Sequence, residues 1–162
     1  MIRQMNFEKD PDGKKITVTR EFAAPVEKVW RAWTEKELLD QWWAPKPWKA
    51  KTKSMDFRVG GFWLYAMVSP EGESHWARAD YLSIRPQKSY SVQDAFCDEN
   101  GVKNTSVPSM HWNNQFSVSP SGTTVTIEII FSSEEDLKTI IEMGFREGFT
   151  AALTNLDELL EK

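Results

Sequence analysis

A carboxylate placed among large aromatic residues is the feature of this chain whose chemistry stands out. Asp94 lies in the stretch Lys88–Phe96, where Tyr90, Val92 and Phe96 share its side if the segment is a strand. Desolvation in such a setting raises a carboxyl pKa, so Asp94 could give or take a proton. With Tyr65 or Tyr81 nearby it could serve an enolisation or dehydration, and it is the one acid–base candidate the sequence offers. Asn114 is a second polar residue expected on the same aromatic face. The other reactive side chains are isolated. His75 and His111 are two histidines without HExxH spacing, too few for a three-histidine metal site. Cys97 is the sole cysteine, so it forms no internal disulfide and no thiolate zinc site. No Gly-x-Ser-x-Gly elbow, phosphate-binding loop or dinucleotide fingerprint occurs. Neither a metal nor a cofactor is therefore expected, and no catalytic constellation joins Asp94.

Composition narrows the partners. The 162 residues carry 20 Lys and Arg against 24 Asp and Glu, a net charge of −4 that supplies no basic surface for nucleic acid. The opening MIRQMNFEKDPDGKK lacks the apolar stretch of a signal peptide. The longest apolar run, Phe62 to Val68, is far too short for a membrane span. The expectation is one cytoplasmic domain over residues 1–162, with residues 1–13 a loosely held tail. Lys46, Lys49, Lys51 and Lys53 read as a solvated strand edge.

The elements that must position these residues follow from periodicity. Ile16, Val18 and Phe22 alternate with polar residues and read as a half-buried strand, interrupted by Arg20. Val26, Val29, Trp30 and Trp33 then take helical spacing after Pro25. Thr34 and Glu37 form a capping-box pattern that restarts a second helix, with Leu38, Leu39, Trp42 and Trp43 inward. Strands are predicted at 48–59, 61–68, 74–85, 88–96, 110–118 and 123–131, joined mostly by short turns as an antiparallel meander. Ser132 or Ser133 caps a terminal helix in which Leu137, Ile141, Phe145, Phe149, Ala152, Leu156 and Leu159 repeat at three- and four-residue steps. Over roughly 28 residues it would be about 40 Å long.

Turn arithmetic matches faces across the sheet. Pairing around Pro120-Ser121 sets Phe116 opposite Val125, Asn114 opposite Ile127 and Trp112 opposite Ile129. Pairing across the long loop Asp98–Pro108 sets Asp94 roughly opposite Asn114. For the strand from Ser74, one register turns Ala77, Ala79 and Tyr81 inward, the other Trp76, Arg78 and Leu82; the first is favoured. Gly144 and Gly148, four apart in the terminal helix, suggest a close approach to the sheet or space beneath it. A cavity between sheet and helix would then have walls of Trp43, Trp63, Tyr65, Met67, Tyr81, Trp112, Phe116, Phe145 and Phe149, with Asp94 and Asn114 as polar anchors. The same residues could equally be ordinary core.

Local motifs carry a resemblance over roughly residues 14–160. Thr19-Arg20-Glu21-Phe22-Ala23-Ala24-Pro25-Val26-Glu27-Lys28-Val29-Trp30-Arg31-Ala32-Trp33-Thr34 is followed by Gln41-Trp42-Trp43-Ala44-Pro45. Asp56-Phe57-Arg58-Val59-Gly60-Gly61 and then Glu147-Gly148-Phe149 with Leu153 and Leu156 come after them. In this order they resemble the activator of heat shock protein 90 ATPase homologue family of the START-like (SRPBCC) superfamily. The resemblance implies an α+β helix-grip fold, like that of birch pollen allergen. In it a curved antiparallel sheet of about seven strands embraces a long C-terminal helix, with two short helices after the first strand. It also implies a binder of a small hydrophobic or aromatic molecule. One alternative is a protein-interaction module of co-chaperone type that regulates a chaperone ATPase; the eukaryotic co-chaperone also uses an N-terminal domain, for which no room is expected within these 162 residues. A second alternative is a cyclase- or dehydratase-like enzyme. The family has no shared catalytic motif to carry over.

Overall fold

The computed structural model describes residues 5–11 and 13–161. Its elements run β1 (Met5–Lys9), β2 (Lys15–Phe22), α1 (Val26–Thr34), α2 (Lys36–Trp42), β3 (Lys49–Met55), β4 (Phe62–Val68), β5 (Ser74–Arg85), β6 (Ser89–Cys97), β7 (Met110–Ser119), β8 (Gly122–Ile130), α3 (Glu134–Glu142) and α4 (Phe145–Leu160). The strands form one curved antiparallel sheet in the order β1-β2-β8-β7-β6-β5-β4-β3. Helices α1 and α2 carry the chain from β2 to the far edge at β3, and α3 and α4 return across the inner face. The α+β helix-grip arrangement expected from the sequence is present, in eight strands rather than about seven.

The additional strand is β1. Residues 5–9, expected to be a loose tail, pair with β2 from Met5↔Arg20 to Lys9↔Ile16. Turn bonds from Asp10 N–H to the Lys15 carbonyl (2.8 Å) and from Gly13 N–H to the Asp10 carbonyl (2.8 Å) close the hairpin. An edge strand covers backbone groups of β2 that would otherwise stand open. Residues 1–4 and Asp12, the rest of the expected tail, lie outside the described residues.

The β7–β8 register is as expected, with Phe116↔Val125, Asn114↔Ile127 and Trp112↔Ile129. On β5 the inward set is Ala77, Ala79 and Tyr81, because Ala77 faces Tyr65 and Ala79 faces Trp63, while Leu82 is exposed. The β6–β7 pairing differs from expectation. Asp94 lies opposite Met110 and Asn114 opposite Tyr90. The offset is four residues, an even number, so every side chain keeps its predicted face while Asp94 and Asn114 part company. Its cause is the long loop, which folds back on β6 through a Cys97↔Lys103 bridge and a bond from Asn104 N–H to the Phe96 carbonyl.

Helix boundaries also depart in detail. No side chain caps α2; Thr34 instead donates to the Trp30 carbonyl at 2.8 Å. Ser133 does cap α3, accepting from Asp136 N–H at 3.1 Å. The single long terminal helix is two helices, broken at Met143-Gly144, where Gly144 takes a left-handed φ of +89°. Its N–H closes α3 on the Ile141 carbonyl (3.0 Å), and its carbonyl receives Gly148 N–H (3.0 Å) as α4 begins. The apolar stripe runs through the break, so periodicity alone does not reveal it. Gly144→Ala should therefore cost about 1–2 kcal/mol in urea denaturation, the penalty of a Cβ in the left-handed region. Gly148 lies inside α4, where a Cβ would meet only Pro45 at 3.8 Å, so Gly148→Ala should be neutral or stabilising by up to about 1 kcal/mol. Equal effects from the two would contradict this division of roles.

The core lies between the sheet's inner face and the helices. Trp33, Trp42 and Phe22 are wholly buried, and Trp42 donates its indole N–H to the Ala32 carbonyl at 2.8 Å. Arg20 sits on the inner face of β2 opposite Val125, 4% exposed. One of its guanidinium nitrogens pairs with Asp157 of α4 and the other donates to the Glu21 carbonyl at 2.7 Å. The interruption seen in the β2 pattern is thus a tie between sheet and helix.

Candidate functional site

The sheet and the helices do not fill the space between them completely. Where α3 breaks into α4, a cavity of about 240 Å³ remains. Its floor is made by Tyr65 and Met67 of β4, Ala77 of β5, Asp94 and Phe96 of β6, and Met110 and Trp112 of β7. Ile140, Met143, Phe145 and Phe149 roof it, and Trp43 and Pro45 wall one side. Gly144 and Gly148 also face it, so the glycine pair does leave room beneath the helices.

Of the candidate residues, Trp43, Tyr65, Met67, Asp94, Trp112, Phe145 and Phe149 come together around this cavity. Trp63, Tyr81, Asn114 and Phe116 share the inner face but do not line it. The α1 side chains explain why, since they plug that end of the sheet. Trp30 packs edge-on against Phe116 at 5.1 Å, and Trp33 against the same ring at 5.9 Å. Tyr81 packs against Phe57 at 4.8 Å. Asn114, 2% exposed, lies beside the Tyr90 hydroxyl with its Oδ1 unpartnered. Trp63 supports the site from behind: it stacks on Tyr65 at 3.9 Å and donates to Thr52 Oγ1 at 2.9 Å. Thr52 in turn donates to Asp40 of α2 at 2.7 Å. Tyr65 is therefore held in place from two layers.

Phe96, Ala77 and His75 were not among the candidates. All three follow from the period of two once Asp94 and Ala79 are taken as inward. His75 stands at the cavity rim, its ring 5.3 Å from that of Trp48 and its Nε2 3.5 Å from Glu73. His111 faces away from the cavity, as expected, with Nε2 3.2 Å from Asn113 Oδ1.

Electrostatics single out Asp94. Burial pushes its carboxyl up from 3.8 to about 7, against smaller opposing effects of the Trp112 indole and the Met110 backbone N–H. These two groups are near, yet Asp94 Oδ1 and Trp112 Nε1, both shut off from water, complete no hydrogen bond of good geometry. The Tyr65 hydroxyl accepts from Trp43 Nε1 at 3.0 Å. Burial, reinforced by the Asp94 charge, moves its pKa upward, so Tyr65 keeps its proton and can offer it in a hydrogen bond. Burial also raises the Cys97 thiol, which removes an activated thiolate from consideration. Among the described residues no three His, Cys, Asp or Glu side chains gather as a metal site. Among these residues no helix is long and apolar enough to cross a membrane.

The arrangement can enclose an apolar molecule and offer it one acid and one phenol. Its relatives share the frame. A crystal structure of a Mycobacterium smegmatis protein superposes with a TM-score of 0.89 at 30% identity, covering 98% of this chain and 97% of that one. A solution structure from Arthrobacter aurescens gives 0.90 at 29% identity, covering 96% and 91%. A crystal structure from Nitrosomonas europaea gives 0.80 at 33% identity, covering 94% and 96%. No curated protein matches the chain. The family model described as activator of Hsp90 ATPase homolog 1-like protein matches residues 23–161, and the chain belongs to that family.

Proposed function

We propose that this protein binds a small, flat, apolar molecule in the cavity between β4–β7 and the α3–α4 junction. The observation that carries this reading is a largely aromatic cavity of about 240 Å³ bordering the hydrophobic core. Apolar cavities of about 150 Å³ admit benzene, and drug-sized ligands occupy roughly 300–1,000 Å³. The volume between them suits a body of one or two rings. Rigid aromatic walls lose little rotamer entropy on closing around such a ligand.

Trp43 and Trp112 line the cavity, so titration with 2-naphthalenemethanol should quench tryptophan fluorescence saturably. Ala77 lies on the floor between Tyr65 and Phe96, and Ala77→Leu should abolish that quenching while the protein stays folded. Ala79, the alternative small residue of β5, faces Trp63 and does not line the cavity, so Ala79→Leu is the control for general repacking. Undiminished quenching in folded Ala77→Leu would overturn the reading.

The family match supports a second reading, a module that docks on a chaperone through its outer surface. Such docking would be indifferent to Ala77→Leu, and chaperone pull-down with both forms separates the two.

A further inference from the structure

The cavity holds a buried carboxyl group for which the described residues provide no cationic counterpart. Asp94 Oδ1 is shut off from solvent and completes no hydrogen bond of good geometry, and no ion pair to Asp94 forms among the described residues. The other ionisable side chains on the wall are Tyr65 from β4, which keeps its proton, and His75 from β5 at the rim. From β7 come the Trp112 indole and a backbone N–H, and α3 and α4 present apolar side chains alone. Among the described residues no lysine or arginine lines the space. A buried carboxylate left in this way is costly, and it calls for a partner that arrives with the ligand. An anion would meet like charge there, and a purely apolar molecule would leave Asp94 unpaired. A cation gains twice, from the carboxylate and from the negative faces of the surrounding rings.

We propose that the ligand is an aromatic amine-bearing cation of one or two rings, its ammonium group against Asp94 and its ring among Trp43, Trp112 and Phe149. The inference rests on the pocket reading above and names the ligand class for that same site.

The test compares three naphthalene probes of one size at pH 8 and 0.15 M salt: 2-naphthylmethylamine, 2-naphthalenemethanol and 2-naphthoate. Calorimetric titration should find the amine bound about tenfold or more tighter than the alcohol, with the naphthoate weakest. In Asp94→Asn the amine should lose that advantage and fall to the level of the alcohol. An alcohol bound as tightly as the amine, or an amine preference that survives Asp94→Asn, would overturn the inference and leave the pocket standing. If none of the three binds, both readings fall.

Discussion

Replacing Asp94 by Asn should make the empty protein more stable at pH 8, by about 2–4 kcal/mol. The sign follows from the raised carboxyl. Below about pH 4 the group is neutral in both folded and unfolded chains and contributes nothing. Between about pH 4 and 7 the unfolded chain ionises while the folded one retains its proton, so stability declines as pH rises. Above about 7 both forms are ionised and the full cost remains. A shift from 3.8 to about 7 corresponds to an upper bound of about 4 kcal/mol, and partial exposure of Asp94 to the cavity reduces it. Urea denaturation at pH 4.5, 6 and 8.5 should therefore show the advantage of Asp94→Asn growing from at most about 1 kcal/mol to a plateau. An advantage that does not change with pH would place its origin elsewhere. A cationic ligand should narrow the gap, because it neutralises the same charge in the native protein. Instability of the empty site would then be the counterpart of its selectivity.

The second large effect concerns Arg20 and Asp157, whose ion pair joins β2 to α4 across the core. The Arg20 side chain is 5% exposed and that of Asp157 24%. Asp157→Ala leaves a guanidinium buried with no counter-charge, held by the Glu21 carbonyl and the face of the Phe22 ring, 5.0 Å away. The expected loss is about 3 kcal/mol, at the low end for a broken buried pair because Asp157 retains some water contact. Arg20→Met combined with Asp157→Leu should recover most of that loss, since apolar side chains of similar volume replace buried pairs with little penalty. Denaturation of the single and double variants measures both. A single variant as stable as the parent would show that the pair contributes nothing.

These two groups illustrate how far the sequence could be read. Arg20 was visible as a break in an alternating pattern, but its partner lies 137 residues away and nothing local announces Asp157. The β7–β8 register was legible because the short Ser119–Gly122 turn fixes which residues face each other. The β6–β7 register was not, because the loop between them spends its residues on local bonds. Asp98 Oδ1, for example, accepts from the N–H groups of Asn100 and Val102 at 2.8 and 2.9 Å. The period of two placed Asp94, Trp112 and Tyr65 on one face regardless of that offset. It placed Phe116, Tyr81 and Trp63 there too, and the packing of Trp30 and Trp33 on Phe116, of Phe57 on Tyr81 and of Trp43 on Trp63 decides which end of the face is filled and which is hollow. The break at Gly144 escaped periodicity for a related reason. The buried side chains Leu137 and Ile140 before it, and Phe149, Ala152 and Leu156 after it, continue one stripe.

Native mass spectrometry of the purified protein, before and after extraction with organic solvent, shows whether the space under the α3–α4 junction holds a ligand. The expected result is a discrete mass excess that extraction removes, or uptake of one molecule of 2-naphthylmethylamine per extracted chain. A bare-chain mass throughout, with no uptake at millimolar probe, would contradict it and transfer the function to the outer surface.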